Sequence, residues 1–326
     1  MSIMYHGAII HVLDLSVEQP VISKGNLDIY DENEKFITRH VMNLFENNYV
    51  SPAQFKEESQ MLDLIVDYED DKFLETSKRL ATRFYNYMSR NGNIPSGDLL
   101  VVQFIKEEVK YMAILKLNYK EEFSHYINPN NGLGGVTELI KHKAIFPSSR
   151  QSITEAVLVD LDTRQLRVLD KSKEQYLSDL FEIDMFLSIK EQIQVVEEAT
   201  FEVIEENFEN PTEALSTFKQ NVAESIFQSS EIPIKQIIED TFGNYDKVKE
   251  ECASRMADYG FHEDNIIINN SRDAKKYTSH KIKTNTGIEI KLPTEMAKDE
   301  NFIEFITNPD GTISIILKNI GQILSR

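Results

Sequence analysis

Apolar residues fall in short dense runs early in the chain and at helical spacing later, and this change of period organises the sequence. The runs Leu99 to Ile105 and Tyr111 to Leu117, separated by a turn at Lys106 to Val109, predict a hairpin of buried strands. A second hairpin is predicted from Thr154 to Asp160 and Gln165 to Asp170, turning at Leu161 to Arg164. An opening strand at His6 to Leu15 and helical patterns at Glu32 to Tyr49 and Asp71 to Arg90 complete this part. Strands from both hairpins can share one largely antiparallel sheet with flanking helices, an α+β pattern. The acidic run Asp67 to Asp71 reads as the start of the helix after it, where carboxylates meet the positive end of the dipole.

Beyond Lys173 the period becomes helical. Ile189, Ile193, Val196, Thr200, Val203 and Ile204 form one stripe, while Glu197, Glu198, Glu202, Glu205 and Glu206 fall mostly on other faces. Asn210 as N-cap, Pro211 at the first helical position and Glu213 at N3 announce the next helix, whose stripe is Leu215, Phe218, Val222 and Ile226. A further helix from Tyr245 to Tyr259 should stop at Gly260. From His280 to Pro293 the pattern is strand, turn at Asn285 to Gly287, strand. A helix-compatible stretch from Thr294 to Glu300 precedes a second hairpin, Phe302 to Ile306 and Thr312 to Leu317, turning at Asn308 to Gly311. The expected organisation is an α+β domain over 1–172, an acidic helical region over 173–260, and a C-terminal β-hairpin region with a basic patch over 261–326.

Charge sharpens the last boundary. Residues 171–270 hold 8 Lys/Arg against 22 Asp/Glu, whereas residues 271–326 hold 9 against 7, on a chain of formal charge −19. Arg272, Lys275, Lys276, Lys281, Lys283 and Lys291 oppose only Asp273 and Glu289, and such a patch attracts phosphate or else pairs with the acidic surface around it. Lys141, His142, Lys143 and Arg150 form a smaller basic cluster close to the Gly-rich stretch Asn128 to Gly135. The candidate DNA-binding residues are therefore Arg272, Lys275, Lys276, Lys281, Lys283, Lys291, Lys141, Lys143 and Arg150.

Composition is that of a globular protein, with 41% hydrophobic and 27% charged residues, and no apolar stretch approaches the length of a membrane span. The first residues carry no Lys or Arg before Asp14 interrupts the early apolar run, so no signal peptide is expected and the expected compartment is cytoplasmic. A single cysteine, Cys252, fits a reducing compartment and reads as a buried, inert thiol. Walker A, H-E-x-x-H, G-x-S-x-G and paired C-x-x-C motifs are all missing, and no two histidines stand at i, i+4. The Gly-rich stretch lacks the spacing of a phosphate loop and reads as a connection. Asp160 and Asp162 lead into a turn, where Asp favours local hydrogen bonds, although alternate strand residues can also share a divalent ion. A non-enzymatic protein without cofactor or metal is expected.

Three blocks carry a resemblance: Ala8 to Leu13, Ser152 to Asp170, and the ordered hairpins from His280 to Leu317. Their pattern and order, with a length of 326 residues, resemble the bacterial 37-kDa nucleoid-associated protein family, the YejK/NdpA-like proteins. The resemblance implies association with the bacterial chromosome, placing the protein at the nucleoid, and an association with type II topoisomerases. DNA contact is expected to be weak or indirect and poorly sequence-specific, because the overall charge opposes approach except where a basic face leads. The alternative is an interaction module whose acidic helices, Glu191 to Glu209, engage a basic partner such as a type II topoisomerase. A third reading is a metal-dependent nuclease built on Asp160 and Asp162. No membrane partner is expected, and a homodimer is the base-rate assembly.

Overall fold

Both dense apolar runs become adjacent strands of a seven-stranded antiparallel sheet in the computed structural model. It describes residues 3–66, 72–128, 136–147, 151, 153–209, 211–228, 231–268, 279–283, 286–293, 296, 301–307 and 313–322. Two units form, Met1–Ser188 and Ile189–Arg326. In chain order the first contains β1 (Ile3–Leu13), α1 (Asp31–Glu46), β2 (Ser51–Phe55), α2 (Gln60–Val66), α3 (Phe73–Arg90), β3 (Gly97–Lys106) and β4 (Val109–Asn118). It continues with β5 (Lys120–Asn128), β6 (Val136–Ile145), β7 (Glu155–Asp160), β8 (Leu166–Asp170), α4 (Leu177–Phe181) and β9 (Ile183–Met185). The sheet order is β1-β3-β4-β7-β8-β2-β9, and every neighbouring pair is antiparallel. The fold class is α+β, as the sequence pattern indicates.

Helices cover both faces of this sheet, which is why β3 is apolar without alternation. On one face α3 packs Leu80, Ala81, Phe84 and Met88 against Ile9, Leu99, Val101, Met112, Ile114 and Val157. On the other, Ile37, Val41 and Leu44 of α1 meet Leu100, Val102, Ala113, Leu115 and Leu158. The period of each helix follows directly: the buried positions of α3, from Phe73 to Met88, recur every three or four residues.

Two turns fix the register. Between β3 and β4, Lys106 pairs with Val109, and Glu107 and Glu108 both take positive φ, 51° and 68°. This is the two-residue hairpin geometry that Asn-Gly usually supplies, here held by the long paired strands on either side. At the other end of the pair, Gly97 sits where a Cβ would lie 2.7 Å from the carbonyl oxygen of Leu117 and 3.1 Å from Cα of Asn118. Gly97→Ala is therefore expected to force the two strands apart and cost about 1–3 kcal/mol, read as a lower midpoint in urea unfolding.

The second unit contains α5 (Ile189–Asn207), α6 (Thr212–Gln228), β10 (Glu231–Pro233), α7 (Ile234–Phe242), α8 (Asp246–Asp258) and β11 (Asn265–Ile267). It ends with β12 (Ser279–Lys283), β13 (Glu289–Pro293), β14 (Ile303–Thr307) and β15 (Ile313–Leu317). β10 pairs with β11, β12 with β13 and β14 with β15, so the two expected C-terminal hairpins are present. Helix α8 ends as its glycine requires: Gly260 has φ 86°, its N–H donates to the Ala257 carbonyl (2.9 Å), and the Phe261 N–H donates to the Met256 carbonyl (2.9 Å). The Leu215 N–H donates to the carbonyl of Pro211 (3.0 Å), so α6 begins at Thr212 with the proline in the cap position, one residue later than the sequence pattern indicates. Asp67 to Asp71, Asn210, the Asn308 to Gly311 turn, and the Thr294 to Glu300 stretch apart from Met296 lie outside the described residues.

Candidate nucleic-acid interface

Register brings part of the basic tail together. In the β12–β13 hairpin, position 281 pairs with Lys291 and position 283 with Glu289, while positions 280 and 282 pair with Leu292 and Ile290. Paired residues of an antiparallel ladder share a face, so positions 281, 283, 289 and 291 make one face and 280, 282, 290 and 292 the other. Burial agrees with this division: Leu292 is buried and Ile290 half-buried, whereas Glu289 and Lys291 are exposed. By register, positions 281 and 283 belong to the same face as the exposed Glu289 and Lys291, a face with three lysines in sequence and a single carboxylate. Two lysines directly opposite one another repel, a cost that a bound anion between them removes. The turn closing the hairpin carries Gly287 at φ 87°. Arg272, Lys275 and Lys276 lie outside the described residues, as does Arg150.

Lys141 and Lys143 belong to β6, in the first unit. Lys141 is already engaged: its Nζ is 2.5 Å from Glu121 and 6.0 Å from the centre of the Phe123 ring. The Gly-rich stretch that follows Asn128 is the connection between β5 and β6, and residues 129–135 lie outside the described ones.

Sequence reading missed a second basic surface, on α3. From Lys72 to Arg90 there are Lys72, Lys78, Arg79, Arg83 and Arg90 against Glu75. Gln60, Lys78, Arg79, Arg83, Arg90 and Asp179 contribute to one shallow groove. Glu75 holds Lys78 at 2.7 Å, and Glu182 holds Arg83 through a short ion pair. Among the described residues Arg79 and Arg90 have no acidic partner, and both are exposed. The apolar stripe dominates this stretch of sequence; a charge count along its polar face is the signal that exposes the groove.

Other candidate chemistry is absorbed locally. One oxygen of Asp160 accepts the backbone N–H groups of Asp162 (2.9 Å) and Thr163 (2.8 Å), which pins the β7–β8 turn. Among the described residues no three His, Cys, Asp or Glu side chains gather as metal ligands do. Cys252 is buried beside Thr200, and burial pushes its thiol up to about 11, so it stays protonated and unreactive at neutral pH. Along the acidic helices, Arg255 of α8 reaches Glu206 at 2.8 Å, Glu251 at 3.1 Å and Glu202 at 3.5 Å. The hydrogen bond from Arg255 holds the Glu206 carboxyl below its ordinary range. Part of the negative face of α5 is thereby neutralised within the unit. No described helix is long and apolar enough to cross a membrane.

No individually curated protein matches the chain. The family described as nucleoid-associated protein YejK matches over residues 9–324, nearly the whole length and, but for Ala8, all three blocks that carry the resemblance. With the α+β fold and the paired C-terminal hairpins in place, the chain belongs to this family of nucleoid-associated proteins.

Proposed function

We propose that the protein contacts duplex DNA directly, weakly and with little sequence preference, through the basic face of β12–β13, without catalysing a reaction and at the nucleoid of a bacterial cytoplasm. The observation that carries this is the pairing of position 281 with Lys291 in a member of a nucleoid-associated family. Lysines on an exposed hairpin face engage phosphates as point charges and carry no base readout. Arg79 and Arg90 on α3 offer further phosphate contacts, and Arg272, Lys275 and Lys276 extend the tail's positive charge in sequence. Overall charge of −19 keeps the affinity low, since only the basic faces approach DNA favourably.

Lys281→Glu combined with Lys283→Glu is expected to weaken duplex binding at least tenfold at low salt and to make the salt dependence shallower by about two phosphate contacts. Unchanged binding in that variant would remove β12–β13 from the interface.

A second reading is contact through a type II topoisomerase, with the exposed glutamates of α5 such as Glu198 and Glu205 facing a basic surface of that enzyme. Glu202 and Glu206 of α5, both held by Arg255, weigh against it. DNA retention that appears only when a topoisomerase is added would favour it over direct contact.

A further inference from the structure

Among the described residues the β5–β6 hairpin pairs with no other strand, and every described side chain from Lys120 to Ile127 and from Thr137 to His142 is exposed. Register sorts these residues into two faces. One face carries Phe123 opposite Lys141, His125 opposite Leu139 and Ile127 opposite Thr137. The other carries Glu122 opposite His142, Ser124 opposite Ile140 and Tyr126 opposite Glu138. Apolar groups stand in water on both: Leu139 is 74% exposed, Phe123 63%, Ile127 56% and Tyr126 48%. A two-stranded ribbon is marginal alone in water, its edges are open to pairing, and exposed apolar surface of this kind marks an interaction site.

Charge identifies the occupant. Two copies of a chain of charge −19 repel, but residues 120–145 hold Lys120, Lys141 and Lys143 against Glu121, Glu122 and Glu138, and sum to zero. This element is therefore one over which two copies can meet without that repulsion. Its neutrality, and the local pairing of Lys141 with Glu121, argue against a phosphate backbone as the occupant. The β6 edge is also self-complementary. Antiparallel pairing about a two-fold axis keeps each residue on its own face. Centred on Ile140, it sets Ile140 against its copy, Leu139 against the stem of the partner's Lys141, and Glu138 against the partner's His142. His142 would then lie between Glu122 of its own chain and the partner's Glu138, with its Nε2 already 2.7 Å from the Ser124 hydroxyl. Centring instead on Lys141 opposes two lysines, and the β5 edge opens on the adjacent Glu121 and Glu122.

We propose that the β5–β6 ribbon is a homodimerisation arm, in which β6 pairs antiparallel with β6 of a second copy about Ile140 to make a four-stranded sheet. The interface is isologous, so each charged pair occurs twice and a single substitution acts at both.

Sedimentation velocity on the full chain between about 1 and 100 μM tests this directly, a range over which interfaces of modest area dissociate. The wild type is expected to be a dimer. Glu138→Lys and His142→Glu, each placing like or unbalanced charge across the axis, are expected to shift it at least tenfold toward monomer, and their combination to restore it. A second readout does not depend on charge. Ile140→Cys, on the axis, is expected to give a disulfide-linked dimer on mild oxidation, while Phe123→Cys, on β5 away from the axis, is not. A wild type that stays monomeric, a dimer indifferent to both charge variants, a combination that fails to restore pairing, or cross-linking at position 123 but not 140 would each overturn the arm as drawn. None of these outcomes depends on whether the protein binds DNA.

Discussion

Glu155→Ala is expected to destabilise the first unit by about 3–5 kcal/mol, a large share of the stability of an ordinary domain. Glu155 on β7 pairs across the sheet with Lys116 on β4, and both side chains are 1% exposed. Lys116 Nζ lies 3.2 Å from Glu155, donates to the Pro95 carbonyl at 2.8 Å, and forms a short hydrogen bond to Asn118. The Tyr176 hydroxyl donates to Glu155 at 3.3 Å, and burial together with that carboxylate pushes the phenol's ionisation far up. Burial pulls the Lys116 pKa down while Glu155 pulls it up, so the carboxylate is what keeps the ammonium charged. Removing it leaves a buried lysine that either holds an uncompensated charge or gives up its proton, and both cost stability. Replacing both partners at once, Lys116→Met with Glu155→Leu, is expected to restore most of the loss, because neither charge then needs solvating. Urea unfolding of the two single variants and the double variant separates these cases; a Glu155→Ala variant within about 1 kcal/mol of wild type would show that water reaches the pair.

Acidification from pH 7 to pH 5 is expected to remove about 3–4 kcal/mol through His11 and His40, both buried neutral. Burial first, then nearby Lys78 for His11 and Arg39 for His40, lowers each to about 4 from the ordinary 6.5. For His11 the neutral tautomer follows from its partners. Ser23 donates its N–H to Nδ1 at 3.1 Å, and the Ser77 hydroxyl, which donates to the Leu74 carbonyl at 2.8 Å, accepts from Nε2 at 3.1 Å. A second ring proton would point at the Ser23 N–H. His40 packs edge-on against Phe36, 4.6 Å between ring centres. Because both folded values are depressed, the stabilisation is full above 6.5 and is lost as pH falls, being gone below about 4. Urea unfolding at several pH values, for wild type and for His40→Leu, measures the effect. The variant should lose about half of the slope between pH 7 and 5, and an equal slope in both would contradict it.

What the sequence disclosed tracks how each element is buried. The β3 and β4 runs are legible because helices cover both faces of the sheet and leave few polar positions, such as Gln103 and Lys116, to dilute them. The β12–β13 hairpin was legible for the opposite reason: Ile290 and Leu292 alternate with Glu289 and Lys291 on a ladder with one covered face. β5 and β6 carry neither signal, since both faces are exposed and apolar and polar residues mix on each, so the sequence shows only the connection at Asn128 to Gly135 and the basic cluster Lys141 to Lys143, not the strands. β2 was hidden by Pro52, which cannot donate to a ladder; the strand accommodates it by pairing with β8 over Ser51 to Ala53 and with β9 over Ala53 to Phe55. Of the candidate interface, the lysines at 281, 283 and 291 stood out as a run, but their common face depends on a register that only pairing fixes. Arg79 and Arg90 stayed hidden because they are eleven positions apart on the polar side of a strongly amphipathic helix.

Direct phosphate contact is tested most simply by binding of the purified full-length chain to a labelled duplex across a salt series. Affinity that falls log-linearly with salt, with a slope of about −3 to −5 for the three hairpin lysines with or without Arg79 and Arg90, is the expected result. No binding at the lowest salt, or binding insensitive to salt, would contradict phosphate contact through these basic faces.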